Sequence, residues 1–190
     1  KLNGPLVVTT TNTLAYRFLF PHLGNFKAEY PGIALELILD TEFFNLSKRQ
    51  ADIAIRPTLK PPDTLVGRRL AKIAVAPYAS KKYIADHGHI KNRTEHTWLE
   101  YGDSLAHLAA ARWMRENLAG APVALRTNNL IGLLGAAMAD MGVALLTCFM
   151  GDLEQNLRRL GSPEPDIVSD LWLLTHEDLR NTARVRAFMD

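Results

Sequence analysis

The chain has 190 residues, 47% of them apolar and 22% charged, with a formal net charge of +2. That is enough chain for one large domain or two small lobes with a buried core, and the composition is ordinary for a soluble globular protein. It excludes a membrane helix, because no apolar run approaches the roughly 20 residues one needs, and its dispersed basic pairs make no concentrated face for DNA or RNA.

The opening KLNGPLVV shows no basic n-region followed by an apolar h-region and no Met, so the expectation is a trimmed or processed product. Leu6 to Thr10 reads as a strand. Thr13 to Tyr30 reads as a helix, with Leu14, Phe18, Leu23 and Phe26 on an approximate apolar face and a kink expected at Pro21. YPGI ends it, and Ile33 to Leu39 is a strand. Asn45 to Gln50 supplies a short helix, Asp52 to Arg56 a strand, and PTLKPPD a loop.

Leu65 to Ser80 is a long extended stretch, followed by a short helix over Lys81 to His87. Strands at Thr97–Tyr101, Val123–Thr127 and Val143–Thr147 alternate with helices at Ser104–Leu118 and Asn129–Met141, with Gly142 at the C′ position. Strand Val168–Thr175 and helix Asp178–Met189 complete the chain. The α/β pattern thus runs twice, as in parallel sheets with crossover helices. A lone cysteine, Cys148, permits no internal disulfide and is expected as a small buried side chain near a strand end.

Two strand-to-helix junctions concentrate small polar residues. One is TTTNT (9–13) and the other is TNN (127–129). Each places hydroxyl and amide groups at a helix start, where unpaired backbone N–H groups attract anions. Ligands of open parallel sheets bind beyond the carboxyl ends of the strands.

Several blocks carry a family resemblance. LVVTTTNTLAYRFLFPHLGNFKAEYPGIALELIL (6–39) resembles the opening of the effector-binding domain of LysR-type transcriptional regulators, including its LxPxLxxFxxxYP helix. NLSKRQADIAIR (45–56) is similar to the family's DLxxxRxDxAIR, with Asn45 where Asp is common. LVGRRLAKIAVAPYASKKYIADHG (65–88) and TNNLIGLLGAAMADMGVALLTCFM (127–150) match two further blocks; LLTCFM departs from the usual Leu-Pro.

The resemblance implies an α/β, type II periplasmic-binding-protein-like fold: two Rossmann-like lobes joined by two crossover strands near Ala76–Pro77 and Asp170–Leu173. Lobe one would hold residues 1–77 plus 173–190 and lobe two residues 78–172. It also implies a cytoplasmic dimer or tetramer, with strand Ile33–Leu39 and helix Asn129–Met141 contributing to the interface. DNA would be reached only through an N-terminal winged helix-turn-helix, with KLNG as the end of the linker. A small-molecule effector, carboxylate-bearing in one reading, would bind between the lobes.

The resemblance places effector contacts at Thr11, Asn12 and Thr13; simple helix capping is the plainer reading. Thr41, after the second strand, is either a turn residue or a contact. Arg56 is either a surface or structural ion-pair partner, the favoured reading, or a fork for an acidic ligand. Asn128 and Asn129 are helix caps or contacts, and Tyr101 is a candidate for stacking. His87, His89 and His96 are expected to be solvated rather than metal ligands, and Trp98, Trp113 and Trp172 to lie in the core. No nucleophile elbow, P-loop, dinucleotide fingerprint or zinc-protease motif is present, so no catalysis or cofactor is expected. A transporter's solute-binding receptor and an enzyme on the same scaffold are the alternatives.

Overall fold

Strand assignments follow from apolar runs bounded by turns, and the architecture shows why those runs are continuous. A computed structural model describes residues 2–39 and 50–190. Thr41 and all but the last residue of the helix expected at 45–50 lie outside the described residues. The chain forms two compact units: Lys1–Lys72 with Ser169–Asp190, and Ile73–Val168. It passes from one to the other within two long strands.

In the first unit, β1 (Gly4–Thr10) lies parallel to β2 (Ile33–Leu39) and β3 (Ile53–Thr58). β3 pairs antiparallel with β9 (Val168–His176), which borders the start of β4 (Leu65–Ser80). That last approach depends on Gly67, where a Cβ would sit 1.9 Å from the Leu173 carbonyl oxygen. Leu6, Val8, Leu14, Leu19, Leu23, Ile33, Ile53 and Ile55 are buried in this unit. Each such aliphatic side chain contributes about 1.5–3 kcal/mol by leaving water.

After β1 the chain turns helical without a gap: α1 (Asn12–Leu14), a π-helical turn (Ala15–Leu19) and α2 (Phe20–Glu29). The expected kink at Pro21 is replaced by this wide turn, in which the Phe20 N–H reaches the Ala15 carbonyl. Pro21 then falls in the first turn of α2, directly after the wide turn.

In the second unit, β4 pairs antiparallel with β7 (Val143–Thr147) and β8 (Leu157–Arg159), and β7 and β6 (Val123–Thr127) flank β5 (Trp98–Tyr101) in parallel. Side chains along β7 alternate between two cores. Val143 and Leu145 pack with Trp98, Trp113 and Met114, whereas Ala144 and Leu146 pack with Leu99, Leu133 and Ala137. A sheet covered on both faces needs apolar residues at successive positions, so VALL (143–146) reads as an unbroken run. The covering helices are α4 (Ala109–Asn117) and α5 (Leu130–Met138); α3 (Lys81–His87) follows β4.

Three expected helices are shorter. Residues Asp103–Leu105 form a 3-10 turn that buries Leu105, and Leu108 is extended before α4 begins. The Arg115 guanidinium donates to the Ala106 carbonyl at 3.2 Å, which holds the break. At the end of the chain, a 3-10 turn (Glu177–Leu179) precedes α7 (Ala183–Met189), and Thr182 is extended between them.

α5 stops at Met138, three residues early. The left-handed residue after it is Asp140 (φ 63°), not Gly142. Met141 N–H bonds to the Ala136 carbonyl and Asp140 N–H to the Ala137 carbonyl, the double closure of a Schellman stop. Ser80 Oγ donates to the Asp140 carboxylate at 2.5 Å and holds it there. Gly142 serves instead as a close approach, since a Cβ would lie 2.6 Å from the Thr97 carbonyl oxygen. Cys148 is half-buried and opens the short helix α6 (Cys148–Gly151).

Candidate functional site

In the first unit β1 and β2 end level with one another, Thr10 standing opposite Leu39 and, on its other side, Ile55 of β3, which runs on to Thr58. The TTTNT segment leaves this edge. Thr9 and Thr10 are fully buried, with Thr10 Oγ1 donating to the Ile55 carbonyl at 2.9 Å. Thr11 caps α1: its Oγ1 accepts from the Leu14 N–H at 3.3 Å and lies 3.2 Å from Thr13 Oγ1. Asn12 is half-buried, and its amide makes no hydrogen bond among the described residues. The helix therefore takes one capping hydroxyl, and the polar character of the turn exceeds what its cap uses.

Arg56 lies at the same edge, 1% exposed, with Nη2 donating to Thr9 Oγ1 at 2.6 Å. Its fork is anchored inside the unit. Across the ladder from Arg56 stands Trp172, whose buried indole Nε1–H has no hydrogen-bond partner among the described residues. Buried donors are nearly always paired, so this one marks a place where an acceptor is wanted.

In the second unit, the parallel strands β5 and β6 also end together, with Tyr101 opposite Thr127. Gly102 N–H donates to the Thr127 carbonyl at 2.7 Å, and a Cβ on Gly102 would come within 3.1 Å of the Asn128 nitrogen. Asn129 caps α5, its Oδ1 accepting from Ile131 N–H at 2.8 Å and Gly132 N–H at 3.2 Å. Asn128 is exposed, and its amide is free of hydrogen bonds among the described residues. Tyr101 packs against both cores of the unit, and its hydroxyl donates to the Leu145 carbonyl at 2.7 Å. Burial holds that phenol's pKa well above its ordinary value.

Thr11, Asn12, Thr13 and Arg56 thus gather on one strand edge of the first unit, and Tyr101, Asn128 and Asn129 on one strand edge of the second. Thr41 lies outside the described residues. From the sequence, Thr9 takes no role of its own and Trp172 only a place in the core; at the end of β7, the buried Oγ1 of Thr147 also has no partner among the described residues. Thr9 was readable in principle, as part of TTTNT.

The histidines divide differently from expectation. His89 is exposed, but His96 is buried, with Nδ1 3.4 Å from the Tyr83 hydroxyl. His87 stacks on the Tyr83 ring at 4.2 Å. Tyr83 thus holds both rings in a structural cluster. Among the described residues no three His, Cys, Asp or Glu side chains gather as metal ligands, and no helix is long and apolar enough to cross a membrane.

The LysR substrate binding domain family model matches residues 1–190. An HTH-type transcriptional regulator from Xanthomonas campestris pv. campestris (strain 8004) is 35% identical over 85 residues, or 45% of this chain and 25% of that protein. The HTH-type transcriptional regulator CrgA of Neisseria meningitidis serogroup B (strain ATCC BAA-335 / MC58) is 32% identical over 85 residues, 45% of this chain and 28% of that protein. The matches therefore span about a quarter of the length of these relatives. Among solved structures, the CrgA regulatory domain from Neisseria meningitidis superposes with a TM-score of 0.83 at 24% identity, covering 100% of this chain and 97% of that one. The effector domain of AmpR from Pseudomonas aeruginosa gives 0.75 at 21% identity, covering 98% and 92%.

Proposed function

The chain belongs to the LysR substrate-binding domain family, whose fold is type II periplasmic-binding-protein-like, and from that premise we propose that it senses a small carboxylate-bearing effector for a transcriptional regulator. The observation that carries the reading is the polar surplus at the strand ends. Thr11 alone caps the first helix, yet Asn12 and Thr13 stand beside it, and Asn12 has an unengaged amide. Arg56 belongs to the same strand edge, and Thr41 joins the set on its sequence position alone. Tyr101, Asn128 and Asn129 are the corresponding contacts of the second unit. The free donor on Trp172 would be completed by an effector oxygen.

DNA is reached through a helix-turn-helix domain elsewhere in the protein, so the effector acts at a distance. It can do so only by binding one arrangement of the protein more tightly than another. The protein works in the cytoplasm as a dimer or tetramer and catalyses nothing. Edge strand β2 and the exposed Ile131, Met138 and Met141 of the α5 region supply apolar surface for assembly. The sequence relatives are HTH regulators, which favours this reading over a transport receptor.

Thermal-shift screening of small acids, amino acids and aromatic carboxylates tests the reading, since a ligand selective for the native state raises Tm. The shift produced by a binder should be lost in Thr13→Val and reduced in Asn12→Ala and Asn128→Ala. A shift that persists unchanged in all three places the effector elsewhere.

A further inference from the structure

Thr147 Oγ1 stands at the carboxyl end of β7, buried and without a hydrogen-bond partner among the described residues. We infer that Thr147 is an effector contact of the second unit, its hydroxyl donating to an oxygen of the bound acid. This role rests on the carboxylate-sensing function proposed above and adds to it the group that selects for an oxygen acceptor at that strand end.

The other hydroxyls show what sets this one apart. Among the buried threonines, Thr9 Oγ1 accepts from Arg56, Thr10 Oγ1 donates to the Ile55 carbonyl, Thr13 Oγ1 lies 3.2 Å from that of Thr11, and Thr175 Oγ1 donates to the Asp52 carbonyl at 2.7 Å. Helix starts follow the same rule. Thr11, Ser80 and Asn129 stand at N-cap positions, and each accepts a backbone N–H of its own helix. Thr147 has the extended conformation of a cap before α6 (φ −60°, ψ 139°), yet its side chain makes no capping bond. The oxygen is thus not spent on the helix it precedes. α6 has four residues and too little dipole to hold an anion, so the hydroxyl itself is the feature. Burying a hydroxyl without a bond costs stability, and a fold keeps that cost where a ligand atom completes the bond.

The position suits such a contact. β7 runs parallel beside β5, with Leu99 opposite Ala144, and β5 runs parallel beside β6. The three strands carry their carboxyl ends to one edge, the edge where parallel sheets bind ligands. Tyr101, Thr127 and Thr147 are the last residues of the three. Tyr101, Leu130, Cys148 and Phe149 all pack on one core cluster, so the junction after β7 shares its floor with Tyr101 and the helix that follows the TNN turn. The departure of LLTCFM from Leu-Pro falls on Thr147. Proline has no side-chain donor, so threonine adds a polar atom to this strand end.

Thr147→Val keeps the shape of the side chain and removes the oxygen. Without added acid it should raise Tm above the parent's, because it deletes an unbonded polar atom from the interior. Thr175→Val, which breaks the bond to the Asp52 carbonyl, should lower it. Calorimetric titration of the 190-residue chain with citrate, glutamate and benzoate then measures binding. At least one acid should bind the parent, and Thr147→Val should weaken it by about tenfold, the loss of one hydrogen bond to a charged group. Thr147→Ser should keep the affinity. A Tm in Thr147→Val no higher than the parent's shows that the oxygen already has a structural partner and overturns the role. Equal weakening in Thr147→Ser assigns the effect to packing and overturns it too. An acid that binds Thr147→Val unchanged but is weakened in Asn128→Ala removes Thr147 from the site and leaves the sensing function standing. Silence from all three acids removes both.

Discussion

Arg56 and Thr9, 47 residues apart in sequence, are joined by a buried hydrogen bond of 2.6 Å from Nη2 to Oγ1. The bond links two parallel strands, β1 and β3, at the candidate site. It makes Arg56 a structural residue first, whatever else its guanidinium meets. Arg56→Met should destabilise the fold by about 2–3 kcal/mol, the range for losing a buried hydrogen bond to a charged group. Urea denaturation of Arg56→Met, Thr9→Val and the double variant checks this. The double variant should cost less than the sum of the two, and strict additivity would mean the pair is not coupled.

Two helix caps carry separate predictions. Thr11→Ala and Asn129→Ala should each lower stability by about 1 kcal/mol, because each removes an oxygen that accepts backbone N–H groups. Thr11→Ser and Asn129→Asp should retain most of it. Chemical denaturation midpoints at unchanged slope provide the comparison.

Gly151→Ala is expected to be costly despite its small size. The new methyl would lie 2.4–2.6 Å from three ring atoms of Tyr78. That ring cannot swing aside, since its hydroxyl donates to Asp152 Oδ1 at 2.7 Å and accepts from Arg159 Nε at 3.0 Å. Overpacking of this kind costs about 1–3 kcal/mol. A melting temperature equal to that of the parent would show that the ring has room.

The same trio gives a pH dependence. The hydrogen bond from Arg159 holds the Asp152 carboxyl below its ordinary range, with Tyr78 adding to the effect. A depressed native pKa contributes stability that is present above the unfolded value and lost as pH falls through the native one. Between neutral and strongly acidic pH the parent should therefore lose more stability than Asp152→Asn. Parallel acid slopes for the two proteins would count against the linkage.

Much of the fold was legible because its signals are local. VALL and IAI are apolar at every position, as sheets covered on both faces require, and Asn129 sits where a cap belongs. The misreadings are non-local. Nothing between Ser104 and Leu118 breaks a helix by its own chemistry; the break comes from burying Leu105 and from Arg115 reaching the Ala106 carbonyl. Asp140 outranks Gly142 as the stop of α5 because Ser80, 60 residues away, holds its carboxylate. At the site, TTTNT announced a polar strand end, but the bond from Arg56 to Thr9 and the unpaired indole of Trp172 arise only once the strands are adjacent.

The order of assembly on the ribosome follows from how the units are threaded. The second is one uninterrupted segment, Ile73–Val168, whereas the first needs both Lys1–Lys72 and Ser169–Asp190. β9, which stands between β3 and β4, is therefore translated after both of its neighbours. During synthesis the later-encoded unit can complete itself while the earlier-encoded one still waits for β9, a reversal of the usual N-to-C sequence. The gap that β9 will fill stays open until then, and a nascent chain stalled before Ser169 presents that gap to chaperones.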